Sequence, residues 1–306
     1  MPGILSLSPL DDARRSQGPS CGAATRLRVR FAGLTLGLEL VLMLLAGAAA
    51  GCLGSLLGIG GGVLIVPLLN AGLGLSFDQS AAVSLVGVLA TAGSVGISSA
   101  TRRRLNVRLA IVLLIFSVTG ATFGAQLLDY FSDRAYKQIF GVTTGVIAVL
   151  MVTRFDRRNI TSPSAEVNAL GARFFDDDTA AMATYRVRRV PIGAAIAFVA
   201  GVLASLIGIG GGILIVPVLN ALCGVPMRVA AATSAFMIGV TAVPGSIARF
   251  ARGELGDFHL AAAVALGVFA GYQVGVLLSG RSQVGALKIL MATVLGAVAG
   301  RYLVWN

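Results

Sequence analysis

The chain has 306 residues, of which 56% are hydrophobic and only 12% are charged. About a quarter of the residues in a soluble domain are charged. This composition, with a mean hydropathy of +0.88, therefore excludes a soluble enzyme, a disordered chain and a disulfide scaffold, and it points to a polytopic membrane protein. The net charge of +11 rests almost wholly on arginine; these arginines lie between apolar runs, which fits charges that orient membrane segments better than a nucleic-acid surface.

Residues 1–30 contain Pro2, Pro9 and Pro19 with Arg14, Arg15, Arg26, Arg28 and Arg30, and read as a basic N-terminal tail. The apolar run that follows is too long for a cleaved signal peptide. The first transmembrane repeat is expected over 31–153. There, 31–77 carries Glu39 as its one charge, while 79–101, 109–128 and 138–153 carry none. Residues 154–189 hold seven arginines with Asp156, Glu166, Asp176, Asp177 and Asp178, and read as a solvated, cytoplasmic loop. The aspartate run lacks the spacing of a calcium loop, so no metal site is expected. The second transmembrane repeat is expected over 190–306, with uncharged runs at 190–227, 229–248 and 260–280 and Lys288 as the one charge in 282–300.

A helix crosses a bilayer with about 20 apolar residues. Residues 190–227 drawn as one helix would extend about 57 Å, too long for one crossing and short for two with a turn. The run 31–77 poses the same problem, and glycines and a proline interrupt both. A span followed by a Gly/Pro-broken or re-entrant segment is expected in each half. The fold class is an all-α polytopic integral membrane protein with about four transmembrane helices per repeat.

The repeat is visible in the sequence itself. Residues 50–70 read AGCLGSLLGIGGGVLIVPLLN and residues 200–220 read AGVLASLIGIGGGILIVPVLN, sixteen of the 21 positions being identical. Ser84 matches Ser234, and Thr91 matches Thr241, at the same offset. Gly120 and Gly124 match Gly271 and Gly275 one residue further on, and Arg102 matches Arg252. Paired, broken apolar segments at matching positions mark the substrate site in transporters built from repeats.

The glycines free the backbone for unusual dihedrals and close approach. Val66 before Pro67 is biased toward extended geometry, and Pro67 suits the first turn of a helix. Each half is therefore expected to hold an unwound stretch in the membrane, with a helix starting near Pro67 or Pro217. Free N–H groups beside a helix N-terminus suit an anion. The candidate substrate-binding residues are Gly58, Gly60, Gly61, Gly62, Pro67, Asn70 and Ser84 in the first half. In the second half they are Gly208, Gly210, Gly211, Gly212, Pro217, Asn220, Thr233 and Ser234. Close helix packing is the alternative for the glycines, and bonding to a neighbouring helix is the alternative for the serines and asparagines. The motif lacks the GK[ST] ending of a nucleotide loop. Arg249, Glu254, Asp257 and His259 read as a surface cluster around a helix end. Cys21, Cys52 and Cys223 form no CxxC pair, and Cys52 and Cys223 are taken as small apolar residues. Neither catalytic residues, cofactor nor metal ligands are expected.

Placing the tail, the 102–108 cluster, the central loop and the 249–252 pair all inside makes both termini cytoplasmic. The uncertain parity of the broken segments leaves parallel and inverted repeats open.

The doubled GIGGGxLxVPxLN segment, with Ala231-Ala232-Thr233-Ser234, Gly253-Glu254-Leu255 and the glycines at 271 and 275, resembles the sulfite exporter TauE/SafE-like family of membrane permeases. The first half departs by having Ala82-Val83-Ser84. The resemblance covers about 31–153 and 190–306, and it implies export or uptake of sulfite and organosulfonates. The expected function is a secondary transporter, an exporter of small sulfur-containing anions across a prokaryotic cytoplasmic membrane. Proton or ion coupling and a homo-oligomer are left open. The alternatives are a transporter of another small anion or carboxylate, and a membrane scaffold or sensor that transports nothing.

Overall fold

A computed structural model describes residues 36–57, 60–97, 104–152, 170–176, 181–278 and 284–304. The chain divides into two compact units, 1–39 and 40–306; of the first, residues 36–39 are described, as the opening turn of α1. The described residues form α1 (Leu36–Leu57), α2 (Gly62–Pro67) continuing into a π-helical turn (Leu68–Gly72), α3 (Phe77–Ile97), α4 (Val107–Gln126) and α5 (Asp133–Val152). A hairpin of β1 (Ala172–Asp176) and β2 (Ala181–Tyr185) follows. Then come α6 (Val190–Ile207), α7 (Gly212–Ala221), α8 (Met227–Ala251), α9 (Phe258–Leu278) and α10 (Val284–Val304).

The helices coincide with the charge-poor runs because a backbone in lipid must satisfy its own hydrogen bonds. Six of them, α1, α3, α4, α6, α8 and α9, are long and apolar enough to cross a membrane. Helices α5 and α10, of 20 and 21 residues, have the same reach. Leu45, Ile115, Leu266 and Leu277 are exposed on these helices, as lipid-facing side chains are. The molecule is an all-α polytopic membrane protein.

Small residues set the helix directions. Gly47 packs on Val264, Gly51 on Val268 and Gly275 on Cys52, so α1 and α9 run parallel. The pair α4 and α6 repeats this, with Gly120 on Phe198 and Gly124 on Val202. Helices α3 and α8 run antiparallel, since Gly239 packs on Ala92, Gly245 on Leu85 and Arg249 on Asp78. Helices α5 and α10 are antiparallel as well, with Gly141 against Leu303 and Gly145 against Ala299. Helices α3 and α8 occupy matching places in the two sequence segments yet point in opposite directions. A two-fold axis lying in the membrane plane produces that arrangement.

The broken segments account for it. The Arg188 N–H donates to the Cys223 carbonyl at 2.8 Å, so the start of α6 and the end of α7 meet on one face. Helix α7 thus returns toward the face from which α6 set out, and α8 crosses again. The same face holds the hairpin: Asn106, which caps α4, donates through Nδ2 to the Leu170 carbonyl at 2.8 Å and to the Tyr185 hydroxyl at 2.7 Å.

Three expectations are corrected. First, the helices after the glycines start at Gly62 and Gly212, not near the prolines. Val63–Val66 are helical because extended backbone at that depth would leave its N–H groups unpaired; Leu64 and Ile65 both donate to the Gly61 carbonyl. Second, 154–189 is not wholly a solvated loop. It holds the hairpin, and Ala183, Thr184, Tyr185 and Val187 are buried, the apolar ones against Leu109, Leu113 and Val225. Third, the basic segments do not share a face. Arg104, Arg186, Arg188 and Arg189 lie at the hairpin face, whereas Arg249, Arg252 and the C-terminal end of α10 lie at the opposite one. The central loop and the C-terminal end of α10 are therefore not both cytoplasmic. The tail, Gly58, Asp177 and Asp178 lie outside the described residues.

Candidate functional site

The two glycine loops meet at the middle of the molecule, between α3 and α8. Gly60 has φ 77° and Gly210 φ 83°, left-handed values at matching positions that a side chain would strain. Gly62 packs on the Ile209 carbonyl and on Val88. Gly60 and Gly210 both pack on Ile238. A small apolar cluster, Leu85, Val88, Ile238 and Ala242, lies beside the crossing. Gly60–Gly62 and Gly208–Gly212 are all buried.

Two serines clasp the loops. Ser84 Oγ lies 3.0 Å from the Gly62 carbonyl and 2.7 Å from the Gly208 carbonyl, so its one proton is shared between both loops. Ser234 Oγ donates to the Gly212 carbonyl at 3.1 Å, matching the bond from Ser84 to Gly62. Both side chains are fully buried. Both hydroxyls are turned onto backbone carbonyls.

The other candidates lie away from the crossing. Asn70 Nδ2 donates to the Leu75 carbonyl at 2.8 Å, and Asn220 Nδ2 to the Val225 carbonyl at 3.0 Å. Each closes the turn at the far end of its short helix, and Asn70 Oδ1 also accepts from the Tyr302 hydroxyl of α10, the bond to a neighbouring helix named as its alternative. Pro67 and Pro217 sit inside α2 and α7. Thr233 accepts from the Asn106 N–H at 3.2 Å, toward the hairpin face. Ser205 holds α6 to α4 through the Ala121 carbonyl at 2.8 Å. The crossing therefore brings together Gly60, Gly61, Gly62, Ser84, Gly208, Gly210, Gly211, Gly212 and Ser234, and leaves out both asparagines, both prolines and Thr233.

Arg249 was misplaced. Its side chain is wholly buried, not part of a surface cluster. Nη1 donates to Glu254 Oε2 at 2.7 Å and lies 3.6 Å from Asp78 Oδ1, and Nη2 donates to the Leu206 carbonyl at 2.8 Å. Burial pushes the Glu254 carboxyl above its ordinary range, while Arg249 draws it back down. Asp257 and His259 are exposed, as the surface reading expects. One signal could have placed Arg249: Ser234, Ile238, Thr241, Gly245 and Arg249 follow at intervals of three and four, so they share one helix face, and all five are buried.

Comparison with known proteins gives a consistent result. The family model described as sulfite exporter TauE/SafE matches residues 43–302. The probable membrane transporter protein YunE of Bacillus subtilis is 29% identical over 265 residues, covering 84% of this chain and 95% of that protein. A probable membrane transporter protein of Xylella fastidiosa is 27% identical over 272 residues, covering 88% and 96%. One from Methanocaldococcus jannaschii is 25% identical over 275 residues, covering 85% and 94%. No solved structure matches the chain.

Proposed function

The chain belongs to the sulfite exporter TauE/SafE family, and from that premise we propose that it is a secondary transporter that exports small sulfur-containing anions across a prokaryotic cytoplasmic membrane. The observation that carries this reading is the meeting of two broken segments between the antiparallel helices α3 and α8. Glycine backbone and two serine hydroxyls gather there, with apolar side chains around them. Such a lining suits a small oxyanion that must be held briefly and released, because no fixed cation at the crossing anchors it. Substrate passage requires Ser84 and Ser234 to leave their carbonyls, which couples opening of the loops to the arrival of an acceptor. The relatives are named as membrane transporters, which supports transport over enzyme activity.

Orientation follows from the described charges. The hairpin face carries Arg104, Arg108, Arg186, Arg188, Arg189 and Arg228, whereas Arg134, Lys137, Arg249, Arg252 and Arg301 on the opposite face are matched by Asp78, Asp129, Asp133, Glu254 and Asp257. This excess of cations supports a cytoplasmic hairpin face and an external C-terminal end. An anionic charge moving outward across an inside-negative potential gains about 2.3 kcal/mol per 100 mV, so export needs no other driving ion.

The test is flux from proteoliposomes loaded with sulfite, sulfoacetate, thiosulfate, sulfate or lactate, with the potential clamped. Potential-dependent efflux of a sulfur anion, lost in Gly60→Leu and Gly210→Leu variants that still insert, is the expected result. Flux of lactate alone moves the substrate class to carboxylates, and no flux at either polarity overturns the transport reading.

A further inference from the structure

Arg249 is the largest fully buried side chain among the described residues, and it is a cation at the end of a spanning helix. A buried charge is costly unless its hydrogen bonds are all made. Those of Arg249 are not, because its Nε is buried and has no partner. Nη1 holds Glu254 by a single bond, with Asp78 at the longer distance, and Nη2 is given to the Leu206 carbonyl. A guanidinium that only pinned α8 in place would take a carboxylate with two parallel N–H groups. Here Nε is left idle on an edge of the group that an oxyanion binds in pairs.

The position bears on transport. Leu206 stands two residues before Gly208, and Gly245, one turn before Arg249, packs on Ser205. The guanidinium therefore sits where α6 leads into the crossing, on the side of the face opposite the hairpin. The charged and titratable groups around it are Asp78 from α3, Glu254 from the α8–α9 turn, Tyr136 from α5, and Arg252, which is paired at 2.8 Å with Asp129 after α4; α6 contributes only the Leu206 carbonyl. Glu254 is half-buried and is the carboxylate nearest the guanidinium.

We propose that Arg249 is a binding site for an oxyanion on its way between the crossing and the face opposite the hairpin, and that Glu254 occupies the guanidinium whenever no anion is there. This rests on the transport reading. The exchange balances in charge for a singly charged anion, and a dianion leaves the site with one net negative charge. The arriving anion takes the idle Nε–H and the Nη1 N–H that Glu254 gives up, and the Glu254 carboxylate takes one proton from the solvent at that face. When the anion leaves, the proton returns to solvent and the ion pair re-forms. Lower pH therefore favours anion binding.

The purified full chain in detergent tests this through the rise of its unfolding midpoint with sulfate or thiosulfate, probes whose charge is constant between about pH 5.5 and pH 8. In the wild type the rise grows as pH falls. Glu254→Gln gives the rise at every pH with a flat profile. Arg249→Gln combined with Glu254→Gln removes both charges and so leaves no buried charge unpaired. It should weaken the apparent affinity more than about tenfold. An unchanged response in that double variant, a wild-type pH profile in Glu254→Gln, or no response in the wild type overturns the proposal. Flux in proteoliposomes separates the two readings. An anion response that depends on Arg249 without wild-type flux sinks the transport reading and leaves the site. Flux that is indifferent to Arg249 sinks the site and leaves the transport reading.

Discussion

Gly62→Ala isolates the contact between the two loops. Gly62 opens α2 and is not in a left-handed conformation, so alanine suits its backbone. The obstacle is steric. A Cβ there would lie 2.7 Å from the Ile209 carbonyl oxygen and 2.7 Å from a methyl of Val88. Comfortable carbon contacts start near 3.5 Å, so each neighbour must withdraw by about 0.8 Å. The Val88 methyl can swing aside. The Ile209 carbonyl cannot easily do so, because Gly208 and Gly210 on either side are fixed at φ 76° and 83°. Overpacking of this kind costs about 1–3 kcal/mol. The loops are expected to separate, weakening the clasp from Ser84, and flux is expected to fall at least tenfold. Gly93→Ala is the control: nothing lies within 4 Å of its Cβ, and alanine favours the helix by up to about 1 kcal/mol. The two variants should shift the unfolding midpoint in detergent in opposite directions. A Gly62→Ala protein with the midpoint of Gly93→Ala and wild-type flux would refute the contact between the loops.

Three further outcomes are expected. Ser84→Ala removes the proton shared by the Gly62 and Gly208 carbonyls, and unfolding in detergent should show a loss of about 1–3 kcal/mol, both acceptors being buried. Asn220→Ala should cost a similar 1–3 kcal/mol, because the fully buried amide closes the turn at Val225; the ratio of fluxes between two anions should not change, since the turn lies at the far end of α7 from the crossing. In a background with Cys21, Cys52 and Cys223 replaced by serine, a membrane-impermeant maleimide should label Asp257→Cys from outside intact cells and Arg104→Cys only after lysis. The reverse pattern would invert the proposed orientation.

The sequence made the crossing legible because the same segment is written twice, and it marked the breaks through glycines whose left-handed φ the structure shows at Gly60 and Gly210. It misjudged Val63–Val66, since β-branched residues before proline favour extended backbone in water. In lipid, unpaired amides decide the matter instead, and the helix starts as soon as the glycines end. It also misjudged the faces. Whether α6 and α7 count as one crossing or two depends on contacts such as the bond from Arg188 to Cys223 and the packing of Gly193 on Cys223, pairings that no local pattern announces. The hairpin escaped notice because its charges, Arg173 and Asp176 among them, dominate the composition, while the buried side chains of Ala183, Tyr185 and Val187 are few. Arg249 could have been found from its place on the buried face of α8, but its neighbours Gly253 and Gly256 suggested a surface turn.

An inverted pair of segments gives a transporter two nearly equivalent ways to pack, one open to each face, and the packing of α1 on α9 repeats that of α6 on α4. The charges break this equivalence. At the repeat offset, Asp78 matches Arg228 and Glu254 matches Arg104, so two anions on one face answer to two cations on the other. A surface with an excess of cations concentrates anions and speeds their arrival, whereas the opposite face offers Arg249 already held by carboxylates. In the proposed orientation the anion is collected at the cytoplasmic face and must compete with Glu254 only on leaving. Exchange with a carboxylate is a binding step weak enough to release into the external medium, and a bare buried arginine at that place would hold the anion instead. The proposed direction of export is thus tied to the charge reversal between the two segments, and the Glu254→Gln variant should slow release more than it slows loading.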